Sequence, residues 1–204
     1  MEAISNWIIG KMKTEMPEID EERAEVIKYG LQLIIGEFPK FIILFTLAFV
    51  LKIGWLTVFA FFSILPYRIV AGGFHLNTHM GCLIATCGYY IGNVLLSKYV
   101  INLPGYTKYI VILIVLIITI INVKLYAPAD TENVPILREK DRKVKKILSY
   151  FFGILTLICA AIIKDNTISN ILIINTLFES ISITKLAYKI TRNKYGYEMY
   201  KNSL

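Results

Sequence analysis

Long apolar runs separated by short polar ones leave this chain few folds to choose from. Residues 38–51, 55–67, 81–97, 109–126, 147–163 and 168–187 are each dominated by hydrocarbon side chains. Several of these runs approach the ~20 residues that a helix needs to cross a bilayer. Inside hydrocarbon the backbone must satisfy its own N–H and C=O groups, and helices do so within one segment. Charged residues make up 18% of the chain and hydrophobic ones 56%, against about a quarter charged and 45–50% apolar in a soluble domain. The expected fold is therefore all-α: a polytopic membrane protein with about six transmembrane helices preceded by N-terminal amphipathic helices.

One domain is expected over residues 1–204, since neither an internal repeat nor a low-complexity tract divides it. Residues 1–37 read as amphipathic, interfacial helices. Trp7, Lys11 and Lys13 suit a membrane surface, Met16-Pro17 breaks the first helix, and Asp20-Glu21-Glu22 opens a second with carboxylates at its positive end. Residues 38–187 form the transmembrane core, with Lys52-Ile53-Gly54 as a turn and a possible kink near Pro39. Residues 188–204 form a tail. If Lys52 is instead carried inside a single span, the count falls to five. The N-terminus lacks the basic, apolar and small-residue sequence of a cleavable signal peptide.

The net charge of +7 is topological rather than a mark of nucleic-acid binding. Arg138, Lys140, Arg142, Lys143, Lys145 and Lys146 crowd one loop, and Lys189, Arg192, Lys194 and Lys201 the tail. With six crossings and the N-terminus inside, both segments fall on the cytoplasmic side, leaving Lys52, Lys98, Lys108 and Lys164 opposite. That arrangement obeys the positive-inside rule and favours anionic lipid head groups. Both termini and the polar patch described next are then cytoplasmic.

Residues 66–82, Pro-Tyr-Arg-Ile-Val-Ala-Gly-Gly-Phe-His-Leu-Asn-Thr-His-Met-Gly-Cys, interrupt the apolar pattern and hold both histidines beside one of the three cysteines. A thiol attacks as thiolate, and an imidazole within reach can take its proton. On one straight helix His75 and Cys82, seven residues apart, would be separated by ~10 Å along the axis. Gly72-Gly73, Asn77 and Gly81 allow a folded-back loop instead. His79, three residues before Cys82, would be the closer neighbour on a continuous helix. Spacing leaves the two histidines open. A zinc site from His75, His79, Cys82 and Cys87 is a further alternative, as is a non-enzymatic transport or peptide-binding scaffold. Cys87 and Cys159, in apolar runs, read as small buried hydrophobes. Arg68 could snorkel to lipid phosphate or hold a substrate carboxylate. Asn77 could orient an imidazole or simply form a turn. Backbone N–H groups near Gly81 and Cys82 could form an oxyanion hole.

Arg68, then Gly72-Gly73-Phe74-His75, then Cys82, resemble the signature of the accessory gene regulator B (AgrB) family of membrane cysteine endopeptidases. Tyr126-Ala127-Pro128-Ala129-Asp130, ending one span and opening a basic loop, resembles a second feature of that family. The resemblance extends over the whole chain. It implies that His75 and Cys82 are the catalytic pair. From the residues themselves, Arg68 and Asn77 are the further candidates for binding substrate or orienting the site, and no metal or cofactor is expected. The resemblance also implies a quorum-sensing propeptide of the AgrD type as substrate, cleaved through a thioester and cyclised to a thiolactone or lactone. A homodimer in the cell membrane of a Gram-positive bacterium is a further implication.

Overall fold

The computed structural model describes residues 2–15, 20–76, 78–132 and 135–203. Two compact units are distinguished, residues 1–47 and 48–204. In the first, helix α1 (Glu2–Glu15) presents Trp7 outward with the Lys11 ammonium 5.7 Å from its ring centre, an arrangement suited to a head-group layer. The break expected at Met16-Pro17 lies outside the described residues. Helix α2 (Glu21–Val50) begins where the acidic triplet places it, with the Ala24 N–H donating to the Asp20 carbonyl at 3.0 Å. It runs through Pro39 as one element.

The second unit takes the end of α2 and continues through α3 (Gly54–Ala71), α4 (His79–Leu95) with a π-turn over Leu96–Val100, α5 (Tyr106–Tyr126), α6 (Glu139–Ile162), α7 (Asn166–Ser182), α8 (Lys185–Ile190) and α9 (Gly196–Ser203). No strand occurs among the described residues, only an isolated bridge between Gly72 and Ala129. Every apolar run marked in the sequence lies largely on a helix. The turn at Lys52-Ile53-Gly54 is present, with Lys52 at φ 58° and Gly54 packed so closely on Phe49 that a Cβ would lie inside that ring's contact distance.

Two boundaries differ from the sequence expectation. Helix α3 continues through Pro66 to Ala71, so Arg68 belongs to its last turn rather than to a loop. A proline inside a helix is tolerated here as it is in membrane helices generally. Helix α6 begins at Glu139, so most of the basic cluster is helical. Glu139 and Asp141 occupy its first turn, where carboxylates complement the helix dipole.

Helix α7 is the axle of this unit. It packs against α3, α4, α5 and α6, and its Leu172 and Ile173 join Ile112, Val115, Leu157 and Ala160 in the apolar core. Most of its polar residues are buried, and several pair with neighbouring helices. The Asn175 side chain donates to the Ala60 carbonyl at 2.8 Å and to Ser63 Oγ at 3.0 Å, and accepts from the Tyr89 hydroxyl and from Asn93 Nδ2. Ser180 Oγ meets Thr119 Oγ1 at 2.8 Å, and the Ser180 carbonyl accepts from Asn122 Nδ2 at 2.9 Å. Such contacts join helices that lipid would otherwise leave without a driving force to associate. Outward faces carry Phe62, Ile69, Ile84, Leu113, Ile117, Phe151, Leu155 and Ile158 in exposed positions, a surface for acyl chains rather than water. Four helices of this unit (α3, α4 with its π-turn, α5 and α6) are long and apolar enough to cross a membrane. The chain is an all-α polytopic membrane protein.

Candidate active site

The polar patch folds as a helix end, a glycine turn and a helix start. Gly72 and Gly73 carry positive φ values of 80° and 134°, conformations that side-chain-bearing residues avoid. Space makes the same demand. A Cβ on Gly72 would stand 2.1 Å from the Ala129 carbonyl oxygen, and one on Gly73 2.6 Å from Ser182 Oγ. The Gly73 N–H donates to the Ala129 carbonyl at 3.0 Å, and the Ala129 N–H to the Ala71 carbonyl at 2.8 Å. The second sequence motif is therefore the seat on which the first one turns.

Arg68, on the last turn of α3, fastens this turn from inside. Its Nη1 donates to Glu179 Oε2 on α7 at 2.9 Å, and its Nη2 to the carbonyl of Phe74 at 3.0 Å. Both terminal nitrogens are thus engaged within the chain. Glu179 is 1% exposed, and its other oxygen has no hydrogen-bond partner among the described residues. A buried carboxylate of this kind depends on its cation. Sequence reasoning passed over Glu179, although it is the only acid within 168–187, and an ionisable residue in such a run is itself a signal.

His75 follows immediately and is exposed. Its N–H donates to Asn193 Oδ1 at 3.3 Å and its carbonyl accepts from Asn193 Nδ2 at 2.6 Å. Asn77 lies outside the described residues. Thr78 caps α4: its Oγ1 accepts from the Gly81 N–H at 3.1 Å and its carbonyl from the Cys82 N–H at 2.9 Å. Cys82, half-buried, therefore sits on the first turn of α4. The two N–H groups expected to form an oxyanion hole are used by this cap. Those of His79 and Met80 lie outside the cap's hydrogen bonds, at the helix end where donors gather. His79 shares that turn with Cys82 and is exposed. Cys87, five residues beyond Cys82 along α4, is half-buried and Cys159 is exposed. No group of three His, Cys, Asp or Glu residues able to hold a metal forms among the described residues.

The Tyr126–Asp130 segment is held from its far side by residues near the C-terminal end. Tyr188, 2% exposed, donates its hydroxyl to the carbonyls of Ala129 and Asp130 at 2.9 and 3.2 Å. Burial, helped by the nearby Asp130 charge, pushes its phenol above the ordinary range, so it stays a donor. Tyr195 stacks on it with ring centres 4.2 Å apart and donates to the Ile183 carbonyl at 2.6 Å. Asp130 Oδ2 accepts from the N–H groups of Ile136 and Tyr197 at 2.9 and 3.1 Å and from Arg142 Nη1 at 3.1 Å. Arg142 also lies 4.2 Å from the Tyr197 ring. Beside this knot opens a cavity of about 300 Å³ bordered by Tyr126, Pro128, Arg142, Lys143, Lys146 and Lys185. The residues 188–204 read from sequence as a tail thus include Tyr188, Tyr195 and Asn193, which brace the patch.

Comparison with known proteins agrees with the motifs. An AgrB-like protein of Listeria welshimeri is 28% identical over 184 residues, covering 89% of this chain and 87% of the relative. One from Listeria monocytogenes is 29% identical over the same shares, and one from Clostridium acetobutylicum 26% identical over 83% of this chain and 78% of the relative. These proteins are themselves named only for their likeness to AgrB. No solved structure matches the chain. The model of the accessory gene regulator B family matches residues 5–183. With that match over nearly the whole chain and its signature residues gathered at one helix junction, the protein belongs to the accessory gene regulator B family.

Proposed function

We propose that this protein is a membrane cysteine endopeptidase that cleaves an AgrD-type propeptide and cyclises its signal segment. One observation carries the reading: His75 and Cys82 stand at a single loop-to-helix junction whose backbone is held from α7 and from the Ala129 segment. Cys82 Sγ attacks the carbonyl joining the signal to its C-terminal extension, with His75 taking the thiol proton. The amide C–N bond breaks, His75 returns the proton to the leaving amine, and a thioester to Cys82 remains. A Cys thiol or Ser hydroxyl within the signal then attacks that thioester. The C–S bond to Cys82 breaks, the thiol is regenerated, and a thiolactone or lactone leaves. Thiol-to-thioester exchange is nearly energy-neutral, so cyclisation outruns hydrolysis only where water is kept out. Arg68 is a site-orienting residue in this scheme. Lys143 and Lys146, at the border of the 300 Å³ cavity, would attract an acidic propeptide extension.

Mass spectrometry of the reconstituted protein with a candidate AgrD-type propeptide tests the proposal. Wild type should cleave it and carry a covalent adduct on Cys82, while Cys82→Ala and His75→Ala should do neither. Cleavage persisting in Cys82→Ala would remove the nucleophile. A wild type that binds the peptide without cutting it would favour a scaffold.

A further inference from the structure

We propose that Asn193 is a positioning residue for His75, acting through a hook formed by residues 188–197; the proposal rests on His75 being the base that serves Cys82. The loop holding His75 cannot define its own conformation. Two consecutive glycines precede it, and glycine is the residue least restricted by its own sterics. From inside, the loop is held at Gly73 by Ala129 and at Phe74 by Arg68. At His75 itself the hold comes from Asn193, whose carboxamide accepts from the N–H at 3.3 Å and donates to the carbonyl at 2.6 Å. One planar amide thus takes both backbone groups of one residue, as a neighbouring strand would.

Only a carboxamide does this from that place. It offers an acceptor and a donor on the same short stem, whereas a carboxylate offers acceptors alone. Asn193 is itself fixed. Its N–H donates to the Tyr188 carbonyl at 2.8 Å, the preceding Arg192 takes a left-handed φ of 57°, and its Nδ2 also meets the Thr191 carbonyl and Oγ1 at 3.0 Å. Tyr188 reaches back to the carbonyls of Ala129 and Asp130. A Cβ on Gly196 would stand 2.3 Å from the Thr131 carbonyl. The hook therefore rests on the same segment that seats Gly72 and Gly73, and both sides of the His75 loop share one anchor. Asn193 lies beyond the residues matched by the family model, which end at 183.

The test is the rate at which iodoacetamide alkylates Cys82 in the full-length protein in detergent, using a background with Cys87 and Cys159 changed to Ala. Alkylation needs no propeptide, so it reads the His75–Cys82 relation directly. His75→Ala should slow it. Asn193→Ala should slow it as well, and should lower the single-turnover cleavage rate by on the order of 10–100-fold with propeptide affinity unchanged. In His75→Ala/Asn193→Ala the second change should add nothing, because a residue acting through His75 has no effect once the imidazole is gone. Should Asn193→Ala not fold, the near-isosteric Asn193→Asp, which loses the donor to the His75 carbonyl, carries the same comparison. A wild-type rate in the Asn193 variant beside a slowed His75→Ala would overturn the proposal alone. So would a loss that adds in full to that of His75→Ala. A wild-type rate in His75→Ala would overturn the pairing of His75 with Cys82, and this proposal with it.

Discussion

At the scale of single residues, the site depends on two missing side chains as much as on those present. Gly72 faces a backbone carbonyl, which cannot rotate away, whereas Gly73 faces the hydroxyl of Ser182, which can. Both hold positive φ, so either substitution costs on the order of 1–3 kcal/mol of backbone strain. Gly72→Ala adds displacement of Ala129. Propeptide cleavage should therefore fall further in Gly72→Ala than in Gly73→Ala, while far-ultraviolet circular dichroism stays helical in both. Equal cleavage in the two would show that Ala129 does not seat the turn. The candidate residues stood out in the sequence because a thiol, two imidazoles and a guanidinium are conspicuous in an apolar chain. What holds them was less so. Glu179 could have been marked as a solitary acid in a span. Asn193 gave no such sign, since an asparagine among lysines and tyrosines near a chain end is unremarkable until folding carries it across to His75.

At the scale of elements, α7 joins the bundle through hydrogen bonds as well as through its apolar residues. Asn175 bridges α3 and α4, satisfying the Ala60 carbonyl and two donors, Tyr89 and Asn93. Replacing it by Leu keeps the volume and takes the acceptor from the Tyr89 hydroxyl inside the bundle, at about 1–3 kcal/mol, while the Ala60 carbonyl keeps Ser63 and Asn93 keeps the Ile171 carbonyl. Asn175→Leu should lower the thermal midpoint in detergent, and Ala85→Leu, on the exposed face of α4, should leave it nearly unchanged. A midpoint unaffected by Asn175→Leu would mean that packing alone holds α7. The helices themselves were readable from run length. Their ends near Ala71 and Glu139 were not, because a proline ordinarily signals a stop and a lysine-rich stretch ordinarily signals a loop. Tertiary contacts decided otherwise: Arg68 has a partner on α7, and Lys146 donates to the Lys124 carbonyl near the end of α5, where a cation is favoured.

At the scale of the whole molecule, the knot around Asp130 and Tyr188 joins the α5–α6 connection to residues near the C-terminal end. Its pH dependence follows from the raised phenol of Tyr188. An unfolded tyrosine ionises near pH ~10, while the buried one stays protonated above that. Its contribution is then fully present below about pH 10 and is lost as pH rises further, because the unfolded chain sheds the proton first. Unfolding free energy should decline above pH 10 more steeply in wild type than in Tyr188→Phe. Parallel curves would place Tyr188 in contact with water.

The order in which the chain is made gives the bridge between Gly72 and Ala129 another meaning. Cys82 leaves the ribosome long before Ala129, Glu179 or Asn193, and each of these closes the loop beside it. A growing chain therefore delivers the Cys82 thiol to the membrane before the residues that close the loop beside it have been made. The protein carries its own delay: an unfinished copy holds the thiol but has not assembled the junction around it.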